Sequence, residues 1–396
     1  MSAATPQQSP HTTAVNLLRR LLQALQHDYM FWLLLLVLAA LSVAQPAAVS
    51  HYPGLVDWPT MATLCGLLVL TKGVELSGAL HRLGSRLLIR MRNQRALALL
   101  LVSATALLAT VLTNDVALFV MVPLTLTLAG ADAPDNHADR DALPLVRLII
   151  FEALAANAGS ALTPIGNPQN LYLWQQSQVS FGAFTLALLP LAVLLLAPLL
   201  LLTAVSFSGR AKVSARAAPE ATTAVNRPLL LLCLTLYPPF LLLTDMHHAP
   251  AALAAVLLIF LVAYRQVVAQ IDWALLLVFM LMFIDLRLVA AASPVQALFA
   301  GAGLDQASHL YLAALAASQV ISNVPATILL AQYSPDWRTL AFGVNAGGAG
   351  LAIGSLANII ALRMAPTARA WLVFHYYSVP FLLLTGTAAY AWLRLR

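Results

Sequence analysis

The chain has 396 residues, of which 61% are hydrophobic and 9% charged, with a formal net charge of +6. Ordinary soluble domains carry about 25% charged residues, and several runs here reach the ~20 apolar residues that a bilayer core demands. This excludes a soluble protein and makes the positive balance a topology signal rather than the footprint of a nucleic-acid partner. Cys65 and Cys233 both sit inside apolar runs, so their spacing excludes a disulfide framework or zinc site and reads as small core residues.

Residues 1–29 are polar and include Arg19 and Arg20, and "MFWLLLLVLAALSVAQPA" follows. The long polar leader and near-spanning run read as a cytoplasmic segment and a retained first helix rather than a cleaved signal. Apolar spans fall at about 30–48, 57–80, 181–206, 228–244, 249–265, 272–291 and 374–393. In the second, Lys72 and Glu75 stand three apart on one helical face, which reads as a buried ion pair; Arg287 holds the matched place beside Asp285. After that span come Arg82, Arg86, Arg90, Arg92 and Arg95, the strongest positive-inside signal in the chain. The linker and connecting helix at 207–248 open with the loop 207–227, whose Arg210, Lys212, Arg216 and Arg227 make it a second basic cytoplasmic stretch. The N-terminus is then expected inside and the C-terminus outside, against the weaker signal of Arg394 and Arg396.

Two regions, about 97–173 and 307–365, interrupt the apolar pattern. Both flanking basic loops are cytoplasmic, so 97–173 must cross the membrane an odd number of times. A re-entrant hairpin over 97–129, with Thr113, Asn114 and Asp115 at its tip, followed by one crossing at 143–173, satisfies this. The second region divides likewise into a hairpin at 307–332 and a broken helix at 337–365.

"NAGSALTPIGNPQNL" (157–171) and "NAGGAGLAIGSLANI" (345–359) align without gaps at an offset of 188. They match at Asn157/Asn345, Gly159/Gly347, Gly166/Gly354 and Asn170/Asn358, among others. "LTNDVA" corresponds to "ISNVPA", pairing Asn114 with Asn323, and "VDW" (56–58) to "IDW" (271–273). Three matches in one order argue for duplication into repeats at 30–206 and 249–396. An odd number of crossings precedes the second repeat, so it is inverted, the architecture of secondary transporters.

The Gly and Pro of "NAGSALTPIGNPQN" break a helix at membrane depth, where a freed backbone group costs several kcal/mol unless it lines a cavity or binds something. The break is expected to leave a helix C-terminus near Asn157 and a new N-terminus near Asn167, with Pro168 at its first position. Carbonyls and Asn, Ser or Thr oxygens suit a small cation, and the new N-terminus suits an anion. A single Gly or Ser is explained by helix packing; the double motif in two copies points to a transport site. Its candidate residues are Thr113, Asn114, Asp115, Asn157, Gly159, Ser160, Thr163, Gly166, Asn167 and Asn170. From the second half come Ser322, Asn323, Asn345, Gly347, Gly354, Ser355 and Asn358. Asp115 has no counterpart, since Val324 stands in its place, and suits sodium or proton coupling. Glu152, near the start of the broken helix, is open to a structural or a functional role.

"TNDVALFVMVPLT" followed by "NAGSALTPIGNPQNLYL" resembles the ion transporter superfamily, in particular its arsenite permease and anion permease branch. The resemblance spans nearly the whole chain. It implies an all-α polytopic membrane protein of two inverted repeats, each with a re-entrant hairpin and a broken helix, in which a dimerising scaffold carries an elevator-type transport domain. Dicarboxylate symporters of the superfamily carry Ser-Asn-Thr at both tips. Here the tips read Thr113-Asn114-Asp115 and Ser322-Asn323-Val324, which puts dicarboxylate binding in doubt and points toward proton or mixed coupling.

The expected function is ion-coupled transport of a small anion or oxyanion across a bacterial-type inner membrane by a homodimer, with H+ or Na+ as coupling ion and no other cofactor. A sodium/proton antiporter is the alternative. An intramembrane enzyme is disfavoured because there is no His-Glu-x-x-His and no Asp pair at both interrupted regions; a passive channel is as remote.

Overall fold

The computed structural model describes residues 21–23, 25, 26, 28–80, 82, 93–129, 143–209 and 224–395. Most of the N-terminal segment, the Arg-rich loop from 83 to 92 and the basic stretch 210–223 lie outside the described residues, so the loop charges are placed by sequence alone.

Capping side chains open the first elements. Asp28 accepts from Met30 N and Phe31 N to start α1 (Tyr29–Ala44), which ends ahead of Pro46. The chain then bends by 119° into short helical turns up to Leu55, so the first span stops four residues earlier than the apolar run predicted. Asp57 caps α2 (Trp58–Leu76) through Thr60 N, and Asp272 caps α10 (Trp273–Ala291) through Leu275 N. Trp58 Nε1 donates to Pro53 O at 2.9 Å and Trp273 Nε1 to Val268 O at 3.0 Å, so the paired "DW" motifs build the same corner twice.

Between these come α3 (Gln94–Val111), α4 (Asn114–Ala129), α5 (Leu143–Ser160), α6 (Pro168–Ser177), α7 (Phe181–Ser206), α8 (Arg227–Asp245) and α9 (Ala249–Ala263). After α10 follow α11 (Ser293–Ala300), α12 (Ala307–Ile321), α13 (Asn323–Leu330), α14 (Trp337–Ala346), α15 (Leu356–Met364) and α16 (Ala370–Arg394). Among the described residues, seven helices are long and apolar enough to cross a membrane, eight if the bent pair at Tyr29–Leu55 counts as one span. A 19-residue helix rises about 28 Å, close to the bilayer core.

α2 and α5 are the most enclosed spans, each 78% buried, and the rest packs around them. α2 sits among α6, α8, α9 and α10; α5 sits among α3, α4, α7, α15 and α16. Alanines carry one close contact: Ala109, Ala117, Ala153, Ala156, Ala357 and Ala361 pack α3, α4, α5 and α15 together, as small residues do where helices approach without a hydrophobic drive. Cys65 and Cys233 are free and buried, as expected.

The charged pairs differ from expectation. Lys72 and Glu75 do pair, at 2.8 Å, but their side chains are 25% and 38% exposed rather than buried. Arg287 turns away from Asp285 toward Asp57 at 3.6 Å and donates to Leu55 O.

Candidate functional site

α5 ends at Ser160, three residues beyond the expected Asn157, and α6 starts at Pro168 and runs to Ser177 rather than 173. Asn167 is the cap, its Oδ1 accepting from Asn170 N at 2.9 Å. The seven residues between contain carbonyls that the helix no longer uses. Asn170 Nδ2 reaches two of them, at Ala161 (3.2 Å) and Thr163 (3.1 Å), together with the carbonyl of Ser160 at the end of α5 (3.3 Å). Gly166 is required by space: a Cβ there would meet Ser160 O at 2.3 Å.

The second break has the same plan. α14 ends at Ala346, α15 begins at Leu356, and Asn358 Nδ2 donates to Gly348 O at 2.8 Å. Gly350 takes φ +100°, open to glycine but not to L side chains, and its carbonyl accepts from Ser378 Oγ.

The two breaks bond to each other. Asn157 donates to Asn358 Oδ1 at 2.8 Å and accepts from Ser355 Oγ at 2.8 Å. Asn345 donates to Asn170 Oδ1 at 2.7 Å and accepts from Asn167 Nδ2 at 3.0 Å. Shifting 157, 355 and 358 by the 188-residue offset gives 345, 167 and 170. Each cluster is therefore the other with the halves exchanged.

The bends between α3 and α4 and between α12 and α13 close on these breaks. Thr110 Oγ1 donates to Gly159 O at 2.9 Å, and Gln319 Nε2 donates to the matched Gly347 O at 2.6 Å. Thr163 Oγ1 donates to Thr110 O at 2.6 Å, and the matched Leu351 donates its N–H to Gln319 Oε1 at 2.8 Å. Asn114 N donates to Gly166 O at 2.9 Å. At the other bend, a Cβ built on Gly348 would lie 3.5 Å from Asn323 Nδ2 and 3.6 Å from Asn157 Cγ, so the second tip meets the break of its own half where that break faces Asn157 of the first. Ser322 holds φ +73°, a strained angle for a non-glycine residue, at the turn itself.

The geometry thus joins both tips and both breaks in one buried polar region. Thr113, Asn114, Asn157, Ser160, Thr163, Asn167, Asn170, Ser322, Asn323, Asn345, Ser355 and Asn358 are all buried. Gly159 and Gly354 serve close backbone approach, and Gly347 leaves room for the side chain of Ser318. Asp115 lies at the tip; its N–H bonds Asn114 Oδ1, and its own Oδ1 is buried with no partner. No Lys or Arg bonds to this region among the described residues. Sequence reading missed Thr110, Gln169, Gln319 and Gly348. Gln169 donates weakly to Asn345 Oδ1 at 3.4 Å while its Oε1 has no partner. The two halves differ in access: Leu351 and Ile353 are exposed and border a cavity of about 560 Å3 that also reaches Arg363 and His375, whereas the first break is enclosed.

Comparison with known proteins identifies the family. The sequence profile of the family described as "Citrate transporter" matches residues 28–336. The chain belongs to the citrate transporter family. Among relatives, it is 45% identical over 374 residues to the inner membrane protein YbiR of Escherichia coli, covering 93% of this chain and 96% of that one. It is 30% identical over 332 residues to an uncharacterized transporter of Methanocaldococcus jannaschii, covering 83% and 86%. The silicon efflux transporter LSI3 of Oryza sativa matches at 34% over 135 residues, 34% of this chain and 26% of that protein. Membership of the citrate transporter family makes the chain an integral membrane transporter and not an enzyme.

Proposed function

We propose that this member of the citrate transporter family is an ion-coupled secondary transporter of a small anion or oxyanion. Two inverted repeats, at 30–206 and 249–396, each supply a re-entrant hairpin (α3–α4, α12–α13) and a broken helix (α5–α6, α14–α15). Hairpins and broken helices form a transport domain that moves as an elevator against a scaffold around α2 and α10, in a homodimer of the inner membrane. The N-terminus is cytoplasmic and the C-terminus external.

The observation that carries this reading is the reciprocal asparagine network. Asn157 with Asn358, and Asn345 with Asn170, tie two breaks together at the place where a bilayer tolerates unwound backbone only for binding. The substrate is held by helix N-termini, amides and hydroxyls. Without a bonded Lys or Arg, the site favours a weakly charged oxyanion or oxyacid, or a more highly charged anion carried with a cation. The family is described by citrate and the relative in Oryza sativa by silicon, and both chemistries enter the test.

Purified protein in liposomes should accumulate one of labelled citrate, silicate or arsenite under an imposed pH or sodium gradient. Uptake should saturate and collapse with the gradient. Non-saturating flux that ignores both gradients sinks the reading in favour of a channel. Asp115 favours a second reading, a sodium/proton antiporter, because an acid at the tip with a buried unpartnered oxygen can exchange the two cations without an anion. Sodium-driven proton movement with no anion present would select it.

A further inference from the structure

Three carboxyl groups among the described residues have buried oxygens without a hydrogen-bond partner: Asp115 (Oδ1), Glu152 (Oε2) and Asp285 (both). None has an acidic counterpart in the other half, where Val324, Leu340 and Leu70 occupy the matched positions. The polar network obeys the internal symmetry and these acids break it. Groups that bind substrate from both faces can be symmetric, whereas a proton-carrying group need exist only once. Asp115 is already part of the proposed site. Asp285 sits on α10 with no hydrogen bond to link it to the breaks. Glu152 is the one tied to both a hairpin and a broken helix.

Glu152 is fully buried on α5, two turns before the break, and its Oε1 accepts from Thr125 Oγ1 at 2.6 Å. Thr125 lies on α4, the arm that begins at the Asn114–Asp115 tip. The elements packed on α5 are α3, α4, α7, α15 and α16. Their titratable and charged groups are Arg95, Asp115, Arg363, His375, Tyr376, Tyr377, Tyr390 and Arg394, with none on α7; α5 itself adds Arg147. Arg95 donates to Phe207 O, and Arg147 donates to Ser206 O while lying over the rings of Phe207 and Tyr377. His375 bonds Trp371 O and Ala352 N, Arg394 lies over Tyr390, and Arg363 is exposed. Among the described residues no ion pair reaches Glu152. An ionised carboxylate here would leave a full charge buried and uncompensated, at a cost of several kcal/mol, whereas the neutral acid leaves only one O–H unmatched.

We propose that Glu152 is a second proton-carrying site of the transport cycle. It is a neutral acid in this conformation, with its proton on Oε2, and it ionises when the transport domain brings the carboxyl within reach of water at either face. One proton is taken from water on one side and returned to water on the other; no electrons move and no other bond breaks. The idea rests on the secondary-transporter reading, but its decisive test does not need the substrate.

Infrared spectroscopy of the full-length protein in liposomes reads the carboxylic acid C=O band. Wild type should show a band that is missing in Glu152→Gln and kept in Asp115→Asn. The band should rise in frequency in Thr125→Val, which removes the hydrogen bond, and vanish on alkaline titration of the folded protein. The Thr125 variant keeps the assignment possible if Glu152→Gln fails to fold. A wild-type spectrum identical to that of Glu152→Gln overturns the proposal, as does a band that survives the whole titration. In transport, Glu152→Gln should retain substrate exchange but lose limiting accumulation by about tenfold per unit of pH gradient, the share of one coupled proton. Undiminished accumulation also overturns the proposal. If wild type accumulates none of the three anions, the transport reading falls, while the infrared titration still decides whether Glu152 exchanges a proton.

Discussion

Two kinds of polar residue share the site, and they predict different failures. Asn345 is spent on its neighbours: it donates to Asn170 and to Ala341 O, and accepts from Asn167 and Gln169. Asn345→Ala leaves several buried groups unpaired at about 1–3 kcal/mol each. Thermal stability in detergent should fall by several degrees and transport should be lost with it; unchanged stability would show that these bonds are not formed in the membrane. Asp115 is different, since its Oδ1 satisfies no neighbour. Asp115→Asn keeps shape and hydrogen bonding, so the protein should fold as wild type. Gradient-driven accumulation should disappear while exchange persists if Asp115 carries the proton. Weaker sodium dependence is expected instead if it binds sodium, because an amide oxygen holds a hard cation less well than a carboxylate. Full coupling in Asp115→Asn would remove Asp115 from the mechanism.

The sequence discloses its elements unevenly. Asn167 followed by Pro168 announces a helix start to the residue, because an N-cap and a proline at the first position answer one need, the unpaired N–H groups of a new helix. The asparagines of the two breaks are legible because duplication kept the same residue at both places. Thr110 and Gln319 are not, although they do the same work on Gly159 O and Gly347 O. Their chemistry diverged while the contact survived, and only the 209-residue spacing of the tips aligns them. The end of α5 at Ser160 also escapes pattern reading, since Ala158, Gly159 and Ser160 continue a helix when α3 packs directly against them. That contact gives a test at the level of the element. A Cβ on Gly159 would come 2.0 Å from Ala106 O, a backbone atom that cannot swing aside. Gly159→Ala should force α3 off α5 and destabilise by more than the ~1–3 kcal/mol of ordinary overpacking. Gly182→Ala, with nothing within 4 Å, is the control and should behave as wild type. Equal thermal stability for the two variants would mean that α3 and α5 are not in contact in the membrane.

At the scale of the molecule, an elevator needs a boundary that slides, and few polar contacts span the one proposed here. Gln175 Nε2 donates to Thr63 Oγ1 at 3.2 Å and Gln176 Nε2 to Asp57 Oδ2 at 2.5 Å, joining α6 to the start of α2. Tyr237 OH on α8 donates to Val111 O at the end of α3, and Tyr333 OH after α13 donates to Ala290 O on α10, at 2.6 and 2.7 Å. Arg287 on α10 also lies against Tyr172 on α6; between these points α2 packs on α6 and α10 on α13. Every one of these four bonds must break in each cycle if the hairpins and broken helices move as one body. A disulfide across the closest of them should therefore stop transport. In a background with Cys65 and Cys233 replaced by alanine, Asp57→Cys with Gln176→Cys should support uptake when reduced, lose it on oxidation and regain it with reductant. Either single cysteine should be insensitive to the oxidant. Because Asp57 also holds Arg287 at 3.6 Å, the reduced double variant should be slower than wild type, and the comparison that counts is oxidised against reduced protein. Full uptake with the disulfide formed would mean that α6 and α2 travel together, and the moving boundary would then have to lie elsewhere than between the broken helices and α2.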